Sequence, residues 1–184
     1  MRQRVARLLL PVASQSRSAL GARIRSRAYG TRCLIDTGVT ITNARRFVSG
    51  PSCALYHGTY VLNDEGEFTL GDGSHLGAYC YVNAAFGSVE IGDHVAIGPG
   101  TKIFAYSNGY ETGRWVTDTK VQANVRIGRN VFIGANVVVL PGAVIEDDVV
   151  VGAGSVVRGV LAAGGVYVGS PARRIKSFDG RGRE

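Results

Sequence analysis

The sequence predicts an all-β fold, a parallel β-helix in which short strands are joined by tight corners. Three observations predict it: an aliphatic residue at every sixth position over long stretches, Gly, Asn or Asp between these positions, and no long amphipathic helical pattern after residue 30. The 184 residues include 26 Gly, and 45% are hydrophobic. A period of six fits neither a helix nor a two-faced strand. Three hexapeptides make one triangular turn of about 18 residues, and turns stack at about 4.8 Å.

The repeat positions share a large aliphatic side chain that we expect to point inward. They are Leu70, Leu76, Val82, Ile91, Ile97, Ile103, Val121, Ile127, Ile133, Val139, Ile145, Val151 and Val157. A β-sandwich rich in Val and Gly is the alternative, but a sandwich has no reason to keep a six-residue period. A solenoid exposes an edge at each end, so we expect caps in the irregular stretch 34–69 and in the C-terminal residues 163–184.

One interruption stands out in the stretch "AYSNGYETG" and the residues that follow it. Ile103 and Val121 are 18 positions apart, where a single hexapeptide would need six. The extra residues, about 109–120, are therefore predicted to leave the coil as a loop. A long loop in a compact repeat is usually functional, and this one carries Tyr110, Glu111, Arg114, Trp115 and Asp118.

The stretches "VRIGRNVFIGANVVVLPGAVIEDDVVVGAGSVV" and "VYVGSPARRI" resemble the hexapeptide-repeat acyltransferases, in particular the maltose O-acetyltransferase and polysaccharide O-acetyltransferase branch. The resemblance covers about residues 70–176. It implies a left-handed β-helix and a homotrimer with active sites in the clefts between subunits. It also implies acetyl-CoA as co-substrate and a sugar or polysaccharide hydroxyl as acceptor.

The same resemblance implies a catalytic histidine on the loop, acting as general base on the acceptor hydroxyl. The matching positions here are Asn108, Gly109 and Tyr110, and neither Gly109 nor Asn108 can accept a proton near neutral pH. The base is therefore unassigned. The remaining candidates are His75 and His94 in the coils and Glu111 on the loop, each of which also fits an ordinary surface role.

The other site residues also follow from the resemblance. The acceptor-side candidates are Asn83, Tyr110 and Trp115, and the segment after Asn83 is shorter than is usual in the family. The candidates to line the pantetheine arm of acetyl-CoA and to meet its phosphates are Ala135, Ala153, Arg158, Gly159, Arg173 and Lys176. Small residues allow close backbone approach, and Arg or Lys neutralises phosphate.

The positive charge is concentrated at the N-terminus. Residues 1–33 hold eight Arg, no Lys and no acid, while the rest holds 13 Lys and Arg against 14 Asp and Glu, a net of −1. No nucleic-acid partner is expected for the core. The N-terminal segment fits either a basic helix on an anionic membrane surface or an organellar transit peptide. We favour a cytoplasmic protein with peripheral membrane contact, organised as a basic arm (1–33), a β-helix domain (34–176) and a tail (177–184).

Cys33, Cys53 and Cys80 have no metal or redox spacing and are predicted to be free thiols. No metal is expected, because the related γ-class carbonic anhydrases need three histidine ligands and only His75 and His94 fall in the regular coils.

Two functional hypotheses remain. One is an acetyl-CoA-dependent O-acetyltransferase; the other is a catalytically silent protein that binds CoA or a glycan, or that pairs with an active paralogue.

Overall fold

Short strands form a triangular solenoid with three parallel sheets in the computed structural model, which describes residues 5, 7, 8, 10, 13, 15, 16 and 18–178. Sheet A contains β1 (Leu34–Ile35), β4 (Ala54–Leu55), β7 (His75–Leu76), β10 (Ala96–Ile97), β15 (Phe132–Ile133), β18 (Val149–Val151), β21 (Gly165–Val168) and β22 (Arg173–Ser177). Sheet B contains β2 (Thr40–Ile41), β5 (Tyr60–Leu62), β8 (Tyr81–Asn83), β11 (Lys102–Phe104), β16 (Val138–Val139) and β19 (Val156–Val157). Sheet C contains β3 (Phe47–Ser49), β6 (Phe68–Leu70), β9 (Val89–Ile91), β14 (Val125–Ile127), β17 (Val144–Ile145) and β20 (Val160–Leu161).

The chain visits the sheets in the order A, B, C in every coil, so that each strand from β1 to β21 in these sheets pairs in parallel with the strand one coil away. This is the parallel β-helix that the six-residue period predicts. The inward positions stack into one continuous core. Ile97 and Ile127 are 1% exposed, and Ile133, Val139 and Val151 are fully buried.

The first two coils correct one prediction. The stretch 34–69, which we expected to be an irregular cap, forms regular coils with inward-facing Ile35, Leu55 and Phe68. The register pairs Leu34 with Ala54 and Ala54 with His75, which are coils of 20 and 21 residues. The extra residues sit at the corner between sheets B and C. They interrupt the six-residue period of the sequence but leave the strands of neighbouring coils stacked. A search for that period therefore does not find these coils.

The N-terminal end of the solenoid is covered by helix α1 (Ala19–Ala28). Ser18 caps the helix by accepting a hydrogen bond from the Gly21 N–H, and Gly21, Arg25 and Ala28 form its buried side. Residues 19–28 of the basic arm are therefore a helix that packs on the first coil. None of the described residues belongs to a helix with the length and hydropathy needed to cross a bilayer.

The Arg25 side chain is the main polar link between α1 and the solenoid. It is only 2% exposed. Its guanidinium donates to the carbonyls of Ile35 (2.7 Å), Ala13 (2.5 Å) and Ser16 (2.6 Å). Because these bonds join three separate segments, one side chain ties the N-terminal chain and α1 to the first strand of the coil.

At the other end, β22 runs antiparallel to β21 and covers the edge of sheet A. This agrees with the cap expected in residues 163–184, of which 179–184 lie outside the described residues. The three cysteines are buried and free of disulfides, as predicted.

Candidate active site

The predicted loop is a β-hairpin that projects from the corner between sheets B and C. Its strands are β12 (Tyr106–Asn108) and β13 (Lys120–Gln122), which pair antiparallel, and its tip carries a single 3-10 turn, Val116–Asp118. The Ala123 N–H donates to the Ala105 carbonyl at 3.0 Å and closes the base of the hairpin. The coils on either side stack directly, because Ile91 pairs with Ile127 despite the 36 positions between them.

The hairpin corrects the repeat assignment at one position. Val121, which we expected to point inward, pairs with Ser107 on β13 and is 43% exposed. Regular coils later in the chain have 18 residues, as between Arg126 and Val144, so the 36-residue separation contains an insertion of 18. Since 18 is a multiple of six, the aliphatic period keeps its phase across the insertion, and Val121 matches it by position alone.

Aromatic and amide side chains fix the base of the hairpin to the coil below. The Phe86 and Tyr106 rings lie 4.8 Å apart, and the Gln122 side-chain amide donates to the Phe86 carbonyl. Lys120 donates to the Asn108 side chain at 3.0 Å and lies 5.8 Å from the centre of the Tyr106 ring. None of Phe86, Tyr106, Lys120 and Gln122 was predicted from the sequence as a site residue. The available signal was the extra segment 84–88 at the same corner one coil earlier.

Asn83 lies directly below the point where the hairpin leaves the coil. Its carbonyl accepts a hydrogen bond from the Ala105 N–H at 2.8 Å, and its side-chain oxygen accepts from the Ala85 N–H at 3.2 Å. Tyr110 and Trp115, the other acceptor-side candidates, are 81% and 78% exposed on the distal part of the hairpin. Within one chain, the structure therefore brings Asn83 to the base of the hairpin and leaves the two aromatic side chains facing outward.

The position expected for the catalytic base lies on the hairpin itself. The Gly109 N–H donates to the Thr119 carbonyl at 2.8 Å. A Cβ atom built on Gly109 would lie 3.1 Å from methyl groups of Thr119 and Val121, so a larger residue there needs only a small shift of two flexible side chains. Farther along, Glu111 accepts a hydrogen bond from Arg114 at 3.2 Å, and both side chains are more than half exposed.

None of the three histidines lies at the hairpin corner within one chain. His75 is on β7 in sheet A, with its ring edge-on to Tyr56 at 5.7 Å. His94 is exposed at the corner between sheets C and A, with a positive φ of 55°. His57 lies at the corner between sheets A and B, where its Nδ1 is 2.8 Å from the Thr37 hydroxyl. All three therefore lie on sheet A or at its corners, on another side of the triangle.

The CoA-side candidates divide between two corners and the last strand. Ala135 and Ala153 stack in successive coils at the corner between sheets A and B, where the Gly154 N–H donates to the Ala135 carbonyl at 2.9 Å. Arg158 and Gly159 are exposed between β19 and β20, at the corner between sheets B and C. Within one chain these two groups lie at different corners of the triangle.

Arg173 and Lys176 are both exposed on β22. The intervening Arg174 is held differently, because its guanidinium lies 5.3 Å from the Tyr167 ring centre and donates to the Ala162 carbonyl at 3.0 Å. The Arg173 guanidinium donates to the carbonyl of the buried Ala172 at 3.0 Å, although the Arg173 side chain as a whole stays exposed. In the described part of the chain, no group of three or more His, Cys, Asp or Glu side chains is arranged to hold a metal ion.

Comparison with known proteins finds the same repeat and the same fold. Residues 124–159 match the family model of the bacterial transferase hexapeptide repeat (six repeats). Among solved structures, a variant of AntD, an N-acyltransferase from Bacillus cereus in complex with dTDP-4-amino-4,6-dideoxyglucose and coenzyme A, is similar with 27% identity and a TM-score of 0.71, over 80% of this chain and 82% of that chain.

Two further structures support the fold at lower identity. A maltose O-acetyltransferase from Clostridium difficile 630 shares 23% identity over 97% of this chain and 87% of that chain, with a TM-score of 0.62. A hexapeptide-repeat acetyltransferase from Vibrio cholerae O1 biovar eltor, complexed with acetyl coenzyme A, shares 22% identity over 97% and 86%, with a TM-score of 0.61. Residues 124–159 thus carry the hexapeptide repeat, and the chain has the left-handed β-helix fold of the hexapeptide-repeat acyltransferases to which it is similar.

Proposed function

We propose that this protein is an acyltransferase that moves an acetyl group from acetyl-CoA to a hydroxyl group of a sugar or polysaccharide. The observation that carries the proposal is the hairpin anchored directly above Asn83, on a solenoid similar to enzymes solved with coenzyme A. Binding and catalytic residues often lie on loops that a rigid scaffold holds in place. Here the coil is the scaffold, and the hairpin is the element that it positions.

The reaction would require little of the protein beyond positioning and proton transfer. The acceptor oxygen attacks the thioester carbonyl, a C–O bond forms, the C–S bond breaks, and the hydroxyl proton finally reaches the departing CoA thiolate. Ala135 and Ala153 allow a thioester arm to approach the backbone of successive coils, and Arg173 and Lys176 provide charge for phosphates. Positioning alone contributes a large part of such rate enhancements.

The acceptor could instead be an amine, and one observation favours this second candidate. The resemblance expects a base at Gly109 or Asn108, neither of which can accept a proton near neutral pH, and no histidine lies at the hairpin corner in one chain. A hydroxyl must lose its proton as it attacks, which is the step that a general base assists. A neutral amine attacks with its own lone pair and releases its proton afterwards. The AntD complex contains a 4-amino sugar nucleotide.

A homotrimer is the assembly we propose. Apolar side chains face outward on sheets A and B, including Phe132 (50% exposed) and Tyr60 (39% exposed). The outer face of sheet C carries the charged neighbours Glu90 and Arg126 in its middle coils and the exposed Val48 and Val160 on its two end strands. A closed ring with heterologous contacts would cover the two apolar faces, and it would give the exposed Trp115 a partner surface.

Calorimetric titration of acetyl-CoA into the purified chain, followed by a thiol-release assay, tests the function. The acceptor panel should hold neutral mono- and oligosaccharides, a polysaccharide and an amino sugar nucleotide. Release with hydroxyl acceptors supports the first candidate, and release with the amine alone supports the second. Binding of acetyl-CoA without release from any acceptor would favour the silent protein, and absence of binding would overturn both enzyme proposals. Light scattering on the same sample should report a trimer.

A further inference from the structure

A cationic groove lies between α1 and the first coils, at the end of the solenoid occupied by the N-terminal arm. Its volume is about 930 Å³. One wall is a flank of α1 that includes Leu20, Arg23 and Arg27, and the facing wall includes Arg32 and Leu34. The buried side of α1 contains Gly21, Arg25 and Ala28, so the groove uses the flank of the helix that the coil leaves uncovered.

The charge of the groove is unbalanced. Arg23, Arg27 and Arg32 are all exposed, and no Asp or Glu is among the lining residues. In the described chain, none of these three side chains takes part in an ion pair, whereas Arg129 and Arg114 each pair with a carboxylate. Arg23 and Arg27 are one helical turn apart and therefore project on the same side of α1. Three unpaired guanidinium groups on one groove favour an anionic ligand.

The groove also has an apolar component. Leu20 is 68% exposed and Leu34 is 43% exposed, and Ile24 and Pro51 line the same space. A free phosphate would leave this apolar surface in water, and the lining contains no aromatic side chain on which a nucleic-acid base would stack. A ligand that combines a phosphate with hydrocarbon satisfies both components. Basic helices with apolar residues beside the charges are typical of membrane-surface binding.

We propose that this groove binds an anionic phospholipid and holds the N-terminal end of the solenoid on a membrane surface. The lipid phosphate lies against Arg23, Arg27 and Arg32, and the hydrocarbon nearest the headgroup packs on Leu20 and Leu34. The charge distribution along the chain supports this orientation, because residues 1–33 carry eight Arg and no acid while the remainder has a net charge of −1. This inference does not depend on acyl transfer.

Vesicle co-sedimentation of the full chain tests the proposal. The vesicles are phosphatidylcholine alone and phosphatidylcholine mixed with phosphatidylglycerol. We expect binding to the anionic vesicles only. The triple change Arg23→Gln, Arg27→Gln and Arg32→Gln should lower the partition coefficient by on the order of 100-fold at low salt, taking roughly fivefold for each arginine at an anionic surface.

A charge-matched control separates the groove from general positive charge. The control changes Lys102→Gln, Arg126→Gln and Arg158→Gln remove three exposed cationic side chains from coils away from the N-terminal end and should lower binding by no more than a few-fold. Leu20→Ser should weaken the residual binding at high salt, where charge is screened. Circular dichroism verifies that each variant is folded.

Three results would overturn the proposal. The first is equal binding to neutral and anionic vesicles. The second is an equal loss of binding in the groove variant and the charge-matched control. The third is a lack of vesicle binding together with tight binding to inorganic phosphate or to duplex DNA, which would assign the arginines to a soluble anion or to nucleic acid.

Discussion

The Ala123 N–H donates to the Ala105 carbonyl at 3.0 Å, so the hairpin leaves and re-enters the solenoid at a single point. The coil below continues into the coil above as though the inserted residues were absent, since Ile91 pairs with Ile127. The hairpin is therefore an appendage on an intact scaffold. Its sequence can change without altering the core, which makes it a suitable place to test catalysis separately from stability.

Gly109→His should raise acetyl transfer to a hydroxyl acceptor. The imidazole would lie between Asn108 and Tyr110, where the resemblance predicts a base, and it is well suited to accept a proton near neutral pH. The gain could approach about 10²-fold, the low end for a positioned base, and is measured as thiol release under saturating acetyl-CoA.

Thr117→His is the control for this prediction. It places an imidazole on the same hairpin away from Asn108 and should have no effect. An equal gain in both variants would show that the position is not specific, and brisk turnover by the unmodified chain would direct the search to His75, His94 and Glu111.

Replacing Arg173 and Lys176 together with Ala should weaken CoA binding by roughly tenfold or more, because hydrogen bonds to charged groups contribute about 1.5–3 kcal/mol each. Both side chains are exposed on β22, so the free energy of unfolding should change little. Calorimetry with CoA and with dephospho-CoA checks the result, and a smaller effect on dephospho-CoA would identify the 3′-phosphate as the partner. Arg45→Ala with Arg46→Ala, at the opposite end of the solenoid, is the matched control. Equal affinity loss in both double variants would remove β22 from the cofactor site.

Ile127→Ser and Arg126→Ser test the inward period on one strand. Ile127 is 1% exposed, whereas the neighbouring Arg126 is exposed on the outer face of sheet C. Removing the buried side chain should lower the free energy of unfolding by about 2–5 kcal/mol. The change Arg126→Ser should lower the free energy of unfolding by under about 0.5 kcal/mol. Urea unfolding followed by circular dichroism measures both. Similar midpoints for the two variants would contradict the assignment of faces.

Arg25→Met should loosen the N-terminal cap. The change removes the donor to the carbonyls of Ile35 and Ser16, whereas the Ala13 carbonyl still accepts from the Ser16 N–H at 3.1 Å. A buried unsatisfied group costs about 1–3 kcal/mol. Hydrogen exchange across α1 should accelerate while exchange in sheets B and C stays slow. Arg27→Met on the exposed side of the same helix is the control and should leave exchange unchanged. Acceleration that spreads equally through the whole solenoid would show that α1 unfolds only together with the coils.

Stability should decline at alkaline pH because of a buried thiol. Burial raises the pKa of Cys80 from 9.0 to about 11, so the folded chain keeps the proton over a range in which the unfolded chain releases it. The stabilising contribution is complete below pH 9.0 and is lost as the pH rises towards about 11. The expected loss is up to about 2 kcal/mol across this window.

Cys80→Ser isolates that contribution. The thiol donates to the Gly98 carbonyl of the next coil at 3.4 Å, and the hydroxyls of Thr59 and Thr101 make the same bond from the same position of other coils, to Gly77 and Gly134. Serine should therefore be accommodated, and the difference in unfolding free energy between the two proteins should change with pH only above 9.0. A constant difference from neutral to alkaline pH would contradict the shifted pKa.

The sequence by itself determined the solenoid and its interruption. A large aliphatic residue at every sixth position has only one efficient burial, in which each short strand points one side chain inward, and Ile97, Ile133 and Val151 follow this rule. The excess of residues between Ile103 and Ile127 required an excursion, because a coil of fixed perimeter cannot absorb them. These are local consequences of chain geometry and hydrophobic burial, which is why a linear pattern reveals them.

Only the tertiary structure decided where the side chains of the site meet. The coils of 20 and 21 residues keep their register through hydrogen bonds between strands, and such bonds leave no six-residue signal in 34–69. Val121 matches the period yet lies on the hairpin, because pairing with Ser107 decides its position. Contacts such as Phe86 with Tyr106 and Arg25 with Ile35 join residues from different coils or elements. Their partners depend on how coils stack in three dimensions, and no local property of the sequence specifies that.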